Sequence, residues 1–258
     1  MKSHHLKQKL RNGETTIGSW ISLGHAGIAE IFAQAGFDWL VVDLEHSVIS
    51  IDMAADLIRV IDLCGSVPLV RLTSNDPNQI KRIMDAGAHG IVVPMVSSVA
   101  EAVQAVAATR YAPVGRRGVG LARAQLYGPG FEDHLHWQKE GPIVIVQIED
   151  QAALDQLDQI FTVPGVDGFI IGPYDLSCSM GIPGEFDRPE FEAAMKQILE
   201  TGHRVGCPAG IHLVEPDPVR LRQLVEQGYQ FVAYSVDIRM LDVSARIGIQ
   251  VRETMERK

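Results

Sequence analysis

Residues 35–43 read AGFDWLVVD. A glycine closes a helical pattern, and an apolar run of strand character follows almost at once. The same punctuation returns as AGAHGIVVP at 86–94 and as QGYQFVAYS at 227–235. Glycine is common just past a helix because it enters the left-handed region without a Cβ penalty. A β-branched apolar run directly after it marks a strand. The phrase therefore describes a helix handing over to a strand, and its recurrence describes a repeated βα unit.

Working outward, strands are predicted at 16–22, 38–44, 67–72, 90–95, 143–149, 166–172, 205–211 and 230–236. Most are near-continuous Val/Ile runs, such as IVIVQIE at 143–149. Lack of strict alternation marks strands covered on both faces, as in parallel sheets. Helical patterns occupy 27–36, 76–87, 97–110, 189–202 and 215–228. The second of these opens with an Asp cap and a proline at its first position, and the third opens with a Ser cap. Eight strand–helix units without a compositional break predict an α/β chain folded as a (β/α)8 barrel, a single catalytic domain over 1–258. A doubly wound open sheet is the rival, but SLGHAGIAE at 22–30 only weakly resembles the phosphate-binding turn it needs. The one long connection, 111–142, is expected to be functional, as long excursions in compact domains usually are.

The bulk properties narrow the function. Hydrophobic residues make up 46% of the 258 and charged residues 21%, an ordinary globular balance. A net charge of −9 speaks against a nucleic-acid surface. No stretch approaches the roughly 20 apolar residues of a membrane span. The N-terminus lacks the apolar segment of a signal peptide. Cys64, Cys178 and Cys207 are too few and too scattered for a disulfide framework, which suits a reducing cytoplasm. His4 and His5 are expected on a solvated N-terminal helix.

In a barrel of this kind the chemistry sits where strands give way to loops at their C-terminal ends. The residues expected there include Asp43, Glu45 and His46, then Arg71, Glu149, Gly172, Asp175, His212 and Ser235. Glu149 and Asp175 follow neighbouring strands. Two carboxylates converging on one mouth repel unless a cation or proton lies between them, and oxygen ligands suit Mg²⁺ or Mn²⁺. The plainer alternative is that each caps a helix. Arg71 ends an apolar strand and is poised for a carboxylate or polarised oxygen; a purely structural salt bridge to Asp43 or Glu149 is the alternative. Asp43 and His46 are spaced to form an oriented general base. Glu45 between them has no assigned role. None of the seven lysines falls at a strand end, so a Schiff-base mechanism is not expected.

With these residues in place the chain resembles the metal-dependent (class II) pyruvate aldolases of the 4-hydroxy-2-oxoheptanedioate and 2-keto-3-deoxy-sugar-acid type, in the phosphoenolpyruvate/pyruvate barrel superfamily. The likeness runs through GFDWLVVDLEHS (36–47), VPLVRLTSNDPNQIKRIMDAGAHGIVVPM (67–95), ATRYAPVGRRGVGLARA (108–124), VQIED (146–150) and GFIIGPYDLSCSMG (168–181). It implies that Glu149 and Asp175 hold a divalent metal (Mg²⁺, Mn²⁺ or Co²⁺) and that Arg71 contacts the pyruvate oxygens. His46, oriented by Asp43, is implied as the base, with Asp85 an acid near it. Gly172 and the turn through Tyr174 and Asp175 are implied as the carboxylate cradle. The implied reaction joins pyruvate to an aldehyde, or cleaves a 4-hydroxy-2-oxo acid, through a metal-bound pyruvate enolate. Relatives that use oxaloacetate, as decarboxylases or in citrate-forming condensation with acetyl-CoA, supply a second reading. A non-catalytic ligand-binding barrel is a third.

The resemblance also implies a homo-oligomer, a hexamer that exchanges its last helix at about 238–255. The chain departs from the family at Tyr174, at His212 and in VAYSVD (232–237). Aldehyde selection is therefore expected at His212, Tyr234, Arg123 and Tyr127, with polar groups favouring a hydroxylated or acid-bearing aldehyde.

Overall fold

The structure, a computed structural model, describes residues 2–256; Met1, Arg257 and Lys258 of the expected 1–258 domain lie outside the described residues. Eight parallel strands close into a barrel in sequence order. They are β1 (Thr16–Ile21), β2 (Trp39–Asp43), β3 (Val67–Arg71), β4 (Gly90–Val93), β5 (Ile143–Ile148), β6 (Gly168–Ile171), β7 (Ala209–Leu213) and β8 (Phe231–Val236). Around them lie α1 (Lys2–Arg11), α2 (Ala26–Gln34), α3 (Ile51–Cys64), α4 (Pro77–Asp85), α5 (Val99–Thr109), α6 (Phe131–Glu140), α7 (Leu157–Phe161), α8 (Pro173–Ser179), α9 (Pro189–Val205), α10 (Pro218–Glu226) and α11 (Asp237–Glu256).

The helix starts follow from local chemistry. Asp76 accepts the Asn78 N–H at 3.0 Å ahead of Pro77. Ser98 and Glu101 form a reciprocal capping box at α5. Two cores result. One lies between strands and helices; the other fills the barrel with Trp20, Trp39, Val41, Leu69, Ile145, Ile170 and Phe231. Gly18 makes room for Trp39, since a Cβ there would lie 2.1 Å from the indole.

Three features differ from expectation. β7 begins at Ala209, because α9 continues to Val205 and Gly206 closes it at φ 72°. Helix α3 fills a span that the patterns left unassigned. Helix α1 is solvated on one face only. His4 and His5 are exposed, but Leu6 and Leu10 are 2% exposed and pack among the barrel-core residues, and each such burial contributes roughly 1.5–3 kcal/mol. Lys7 pairs with Asp167 at 2.9 Å beneath the same layer.

The 111–142 connection follows α5, which runs antiparallel to the strands. It therefore starts at the N-terminal end of the barrel and must finish there, where β5 begins. Trp137 of α6 donates to Ser3 of α1 at 2.8 Å, which fixes this placement.

Candidate active site

Alternation along the strands decides which side chains look into the mouth. Trp39 and Val41, Val67 and Leu69, and Ile143 and Ile145 face the barrel interior. Continuing each series by two brings Asp43, Arg71 and Gln147 to the top layer, and Glu149 follows Gln147.

Arg71 is held by Asp43 through two parallel bonds, Nε to Oδ1 at 2.9 Å and Nη2 to Oδ2 at 2.7 Å. Its guanidinium stacks over Trp20 at 4.5 Å. Bidentate pairing with stacking beneath it leaves the side chain little freedom. On the far end, Nη1 lies 3.2 Å from Glu45 Oε2. That oxygen is buried and finds no aligned hydrogen bond, so the contact is one of charge attraction alone. Burial pushes Glu45 up to about 7; Arg71 opposes the shift, while Glu149, Asp43 and Asp175 add repulsion.

Asp43 does not orient the His46 ring. Its carboxylate is committed to Arg71 and to the backbone N–H of Glu45 at 3.0 Å. It meets His46 only through that residue's backbone N–H, at 3.4 Å. The imidazole is 66% exposed and its Nε2 stands 3.9 Å from Glu45 Oε2. The expected Asp43–His46 side-chain pair is thus replaced by a loop in which Asp43 shapes the backbone and Glu45 faces the ring.

Glu149 is 2% exposed. Its Oε1 accepts the Met95 N–H at 2.7 Å, and its Oε2 accepts the Gln147 amide. Met95 adopts φ 54°, in the left-handed region, where it delivers that N–H. Gly172 closes the other side. A Cβ on residue 172 would lie 2.6 Å from Glu149 Oε2 and 2.9 Å from Glu149 Cβ. Burial raises the Glu149 carboxyl above its ordinary range; the Met95 and Gln147 bonds and the Arg71 charge oppose this, and the charge of Asp175 adds to it. Asp175 stands exposed in the first turn of α8. Among the described residues neither carboxylate has a Lys, Arg or His within ion-pair range.

A buried acid that feels a second acid, with Arg71 in its field but in direct ion pair with neither, fits a hard divalent ion bound by oxygen. The fit is of two protein ligands. Among the described residues no cluster of three Asp, Glu, His or Cys forms, which leaves further coordination positions to water and substrate.

His212 lies in the floor of the mouth. Its ring is tilted onto Trp20 at 5.3 Å, its Nε2 lies 3.0 Å from the Ser235 carbonyl, and burial lowers it to about 4. Tyr174 is 60% exposed, with its ring edge-on to Phe186 at 4.9 Å.

Three predicted positions fall elsewhere. Asp85 ends α4 at the N-terminal side and accepts from Arg117 at 2.6 Å, so it does not approach His46 within this chain. Arg123 binds Asp62 of α3 at 2.7 Å, and Tyr127 is a partner of Arg59 of the same helix. Both belong to the outer wall. An excursion launched from the bottom of the barrel does not deliver them to the top of the same barrel, so within this chain they stand apart from the mouth. Tyr234 sits in the field of Asp217, the cap of α10. Gln147 was missed. Its signal was a lone amide inside an apolar strand, two residues before an acid and in phase with it.

A profile of the HpcH/HpaI aldolase/citrate lyase family matches residues 16–242. The chain is 40% identical over 251 residues to the 4-hydroxy-2-oxo-heptane-1,7-dioate aldolase of Salmonella paratyphi C (strain RKS4594), covering 95% of this chain and 94% of that protein. The crystal structure of an aldolase/citrate lyase family protein from Burkholderia cenocepacia J2315 superimposes with a TM-score of 0.90 at 35% identity, over 96% of this chain and 99% of the other. The structure of the citrate synthase SbnG superimposes with a TM-score of 0.85 at 26% identity, over 98% and 99% of the two chains.

Proposed function

The chain belongs to the HpcH/HpaI aldolase/citrate lyase family, and from that premise we propose that it forms and cleaves 4-hydroxy-2-oxo acids, with pyruvate as one product. It is an aldolase, a carbon–carbon lyase, with a divalent-metal requirement. The observation that supports the reading is Glu149, buried, repelled by Asp175 and without a direct ion pair, in the field of a fixed Arg71.

Glu149 and Asp175 would hold the metal, with Mg²⁺, Mn²⁺ and Co²⁺ as candidates. When bound it supplies Lewis-acid charge that acidifies the carbon next to the keto group. Arg71, immobilised by Asp43 and Trp20, shares the negative charge that develops on the substrate oxygen. The Gln147 amide keeps Glu149 in place. The Gly172 turn, with Tyr174, borders the space for the substrate carboxylate. His46 takes the proton from the 4-hydroxyl during cleavage and returns it during addition. His212 shapes the pocket through its ring, since Nε2 is engaged by Ser235. A hydroxylated or acid-bearing aldehyde remains the proposed partner.

The working unit is one catalytic barrel, proposed to assemble as a hexamer in the cytoplasm. Asp85 reaches a mouth only if it belongs to a neighbouring copy, so its place near the base is part of that proposal. A second reading takes oxaloacetate as donor, and the likeness to the citrate synthase favours keeping it. A panel of 4-hydroxy-2-oxo acids, read out by pyruvate release, separates it from coenzyme A release by oxaloacetate plus acetyl-CoA. Chelator is expected to abolish turnover and Mg²⁺, Mn²⁺ or Co²⁺ to restore it. Borohydride with pyruvate is expected to leave no adduct. A trapped adduct, or full turnover in chelator, would overturn the proposal.

A further inference from the structure

The chain leaving β4 departs from the ladder that the strand begins. Gly90 to Val93 pair in step with Ile143 to Val146 of β5, and the Ile143 N–H donates to the His89 carbonyl at 3.0 Å. Carried on in that step, a parallel ladder would give the Gln147 carbonyl to the N–H of residue 95. It goes instead to the Val96 N–H at 3.2 Å. One extra residue has therefore entered the chain, and it is Met95, at φ 54°. Its N–H, released from the ladder, donates to Glu149 Oε1 at 2.7 Å. Building on the proposed metal-dependent chemistry, we infer that Met95 is a positioning residue: its left-handed backbone, and not its side chain, fixes Glu149 for the metal.

The conformation is imposed by its neighbours. A left-handed backbone costs a residue with a Cβ more than it costs glycine, and it persists only where the surroundings over-determine it. Pro94 on one side has its own φ fixed by the ring. Val96 on the other is fully buried and bonded to β5. The Met95 side chain supplies little of this restraint, since it is 50% exposed. An extra residue of this kind ends regular pairing and re-aims a group, and such bulges recur beside active sites.

The acid needs the donor. Glu149 is 2% exposed, and a buried carboxylate is tolerated only when it is hydrogen-bonded. A regular ladder would commit the N–H of residue 95 to Gln147 and leave Oε1 without it. Each carboxylate oxygen accepts at two lone pairs. Met95 takes one on Oε1 and the Gln147 amide takes one on Oε2. Each oxygen thus keeps a second position for a metal ion, while the carboxylate as a whole is held from both sides.

Substitutions at this position separate backbone from side chain. Glycine and asparagine enter the left-handed region readily, whereas isoleucine, apolar and close to methionine in size, is strained there by its β-branch. Mn²⁺ is titrated by calorimetry into metal-free, full-length protein. Met95→Gly and Met95→Asn are expected to bind it within about threefold of wild type, and Met95→Ile about 10–100-fold more weakly. A role for the side chain predicts the reverse order, with Met95→Ile near wild type and the other two impaired. That reverse order, or wild-type affinity in all three, overturns the inference. If Met95→Ile does not fold, Met95→Ala against Met95→Gly carries the same comparison: weaker binding by the alanine variant supports the inference, and equal binding overturns it. Wild-type protein that binds no Mn²⁺ and turns over fully in chelator overturns the functional proposal instead, so the two failures are distinct.

Discussion

Gly172 bears the tightest steric constraint in the candidate site. It needs no unusual backbone angle, with φ at −99°; what excludes a side chain is Glu149, whose Oε2 would lie 2.6 Å from an added Cβ. Glu149 cannot retreat easily, because Met95 and Gln147 hold both of its oxygens. Gly172→Ala should therefore fold and yet displace the acid. Mn²⁺ affinity, titrated by calorimetry, is expected to drop about 10–100-fold, the usual range for groups that support a metal ligand. Unchanged affinity would remove Glu149 from the metal site. Arg71, Glu149 and Asp175 were legible because they end apolar strands or follow them directly. Gln147 was hidden because a single amide in a strand reads as noise until its phase with Glu149 is known. The orientation of His46 was not legible: a spacing of three residues allows a side-chain bond to Asp43, and the structure uses a backbone bond instead.

At the scale of elements, direction matters more than composition. The segment at 111–142 is long, and α5 carries the chain to the far end of the barrel before it begins. Arg123 and Tyr127 consequently meet α3. Helix α1 plugs the floor below Trp39 and Phe231, whose rings stack at 3.8 Å. Helix α11 presents the opposite case. Asp237 anchors its start, accepting from Ser22 N at 3.0 Å and Leu23 N at 2.8 Å. Beyond that anchor Ile238, Leu241, Ile247 and Ile249 remain 49%, 52%, 57% and 50% exposed. Such exposed apolar residues on one helix are what the proposed assembly would cover. Light scattering at micromolar concentration is expected to give a stable oligomer, and Leu241→Asp combined with Ile247→Asp is expected to shift it toward smaller species. A wild-type monomer under those conditions would refute the association.

Across the whole molecule, three histidines titrate far from their ordinary value. Burial lowers His89, His134 and His212 to about 4 each. Their folded values lie below the unfolded value near 6.5. Between pH 6.5 and 4 the unfolded chain therefore binds protons that the folded chain refuses. Their stabilising contribution is complete above 6.5 and is lost as pH falls towards 4. Glu45 and Glu149, raised by burial, act with the opposite sign, so the effect of one histidine is best read by difference. His89 sits at the foot of β4, its ring 5.9 Å from Trp137, far from the mouth. Denaturant titrations of His89→Gln are expected to depend less steeply on pH in this window, by up to about 1.4 kcal/mol per pH unit. Parallel pH profiles for variant and wild type would show that His89 is not held neutral by the fold.

The sequence by itself determined the barrel, its strand order and most of the mouth. Helix–glycine–strand punctuation and doubly buried strands are local properties, and a strand end is legible wherever an apolar run meets a charge. Only the tertiary structure decided which charges face one another. Closing the barrel brings the ends of β2, β3, β5 and β7 to one layer, and that closure gave Arg71 to Asp43, Glu149 to Gln147 and His212 to Trp20. It also sent Asp85 and Arg123 to the opposite end. The physical reason is that hydrophobic periodicity reports the face and the span of an element, whereas pairing between charges depends on the direction and register of elements far apart in the chain.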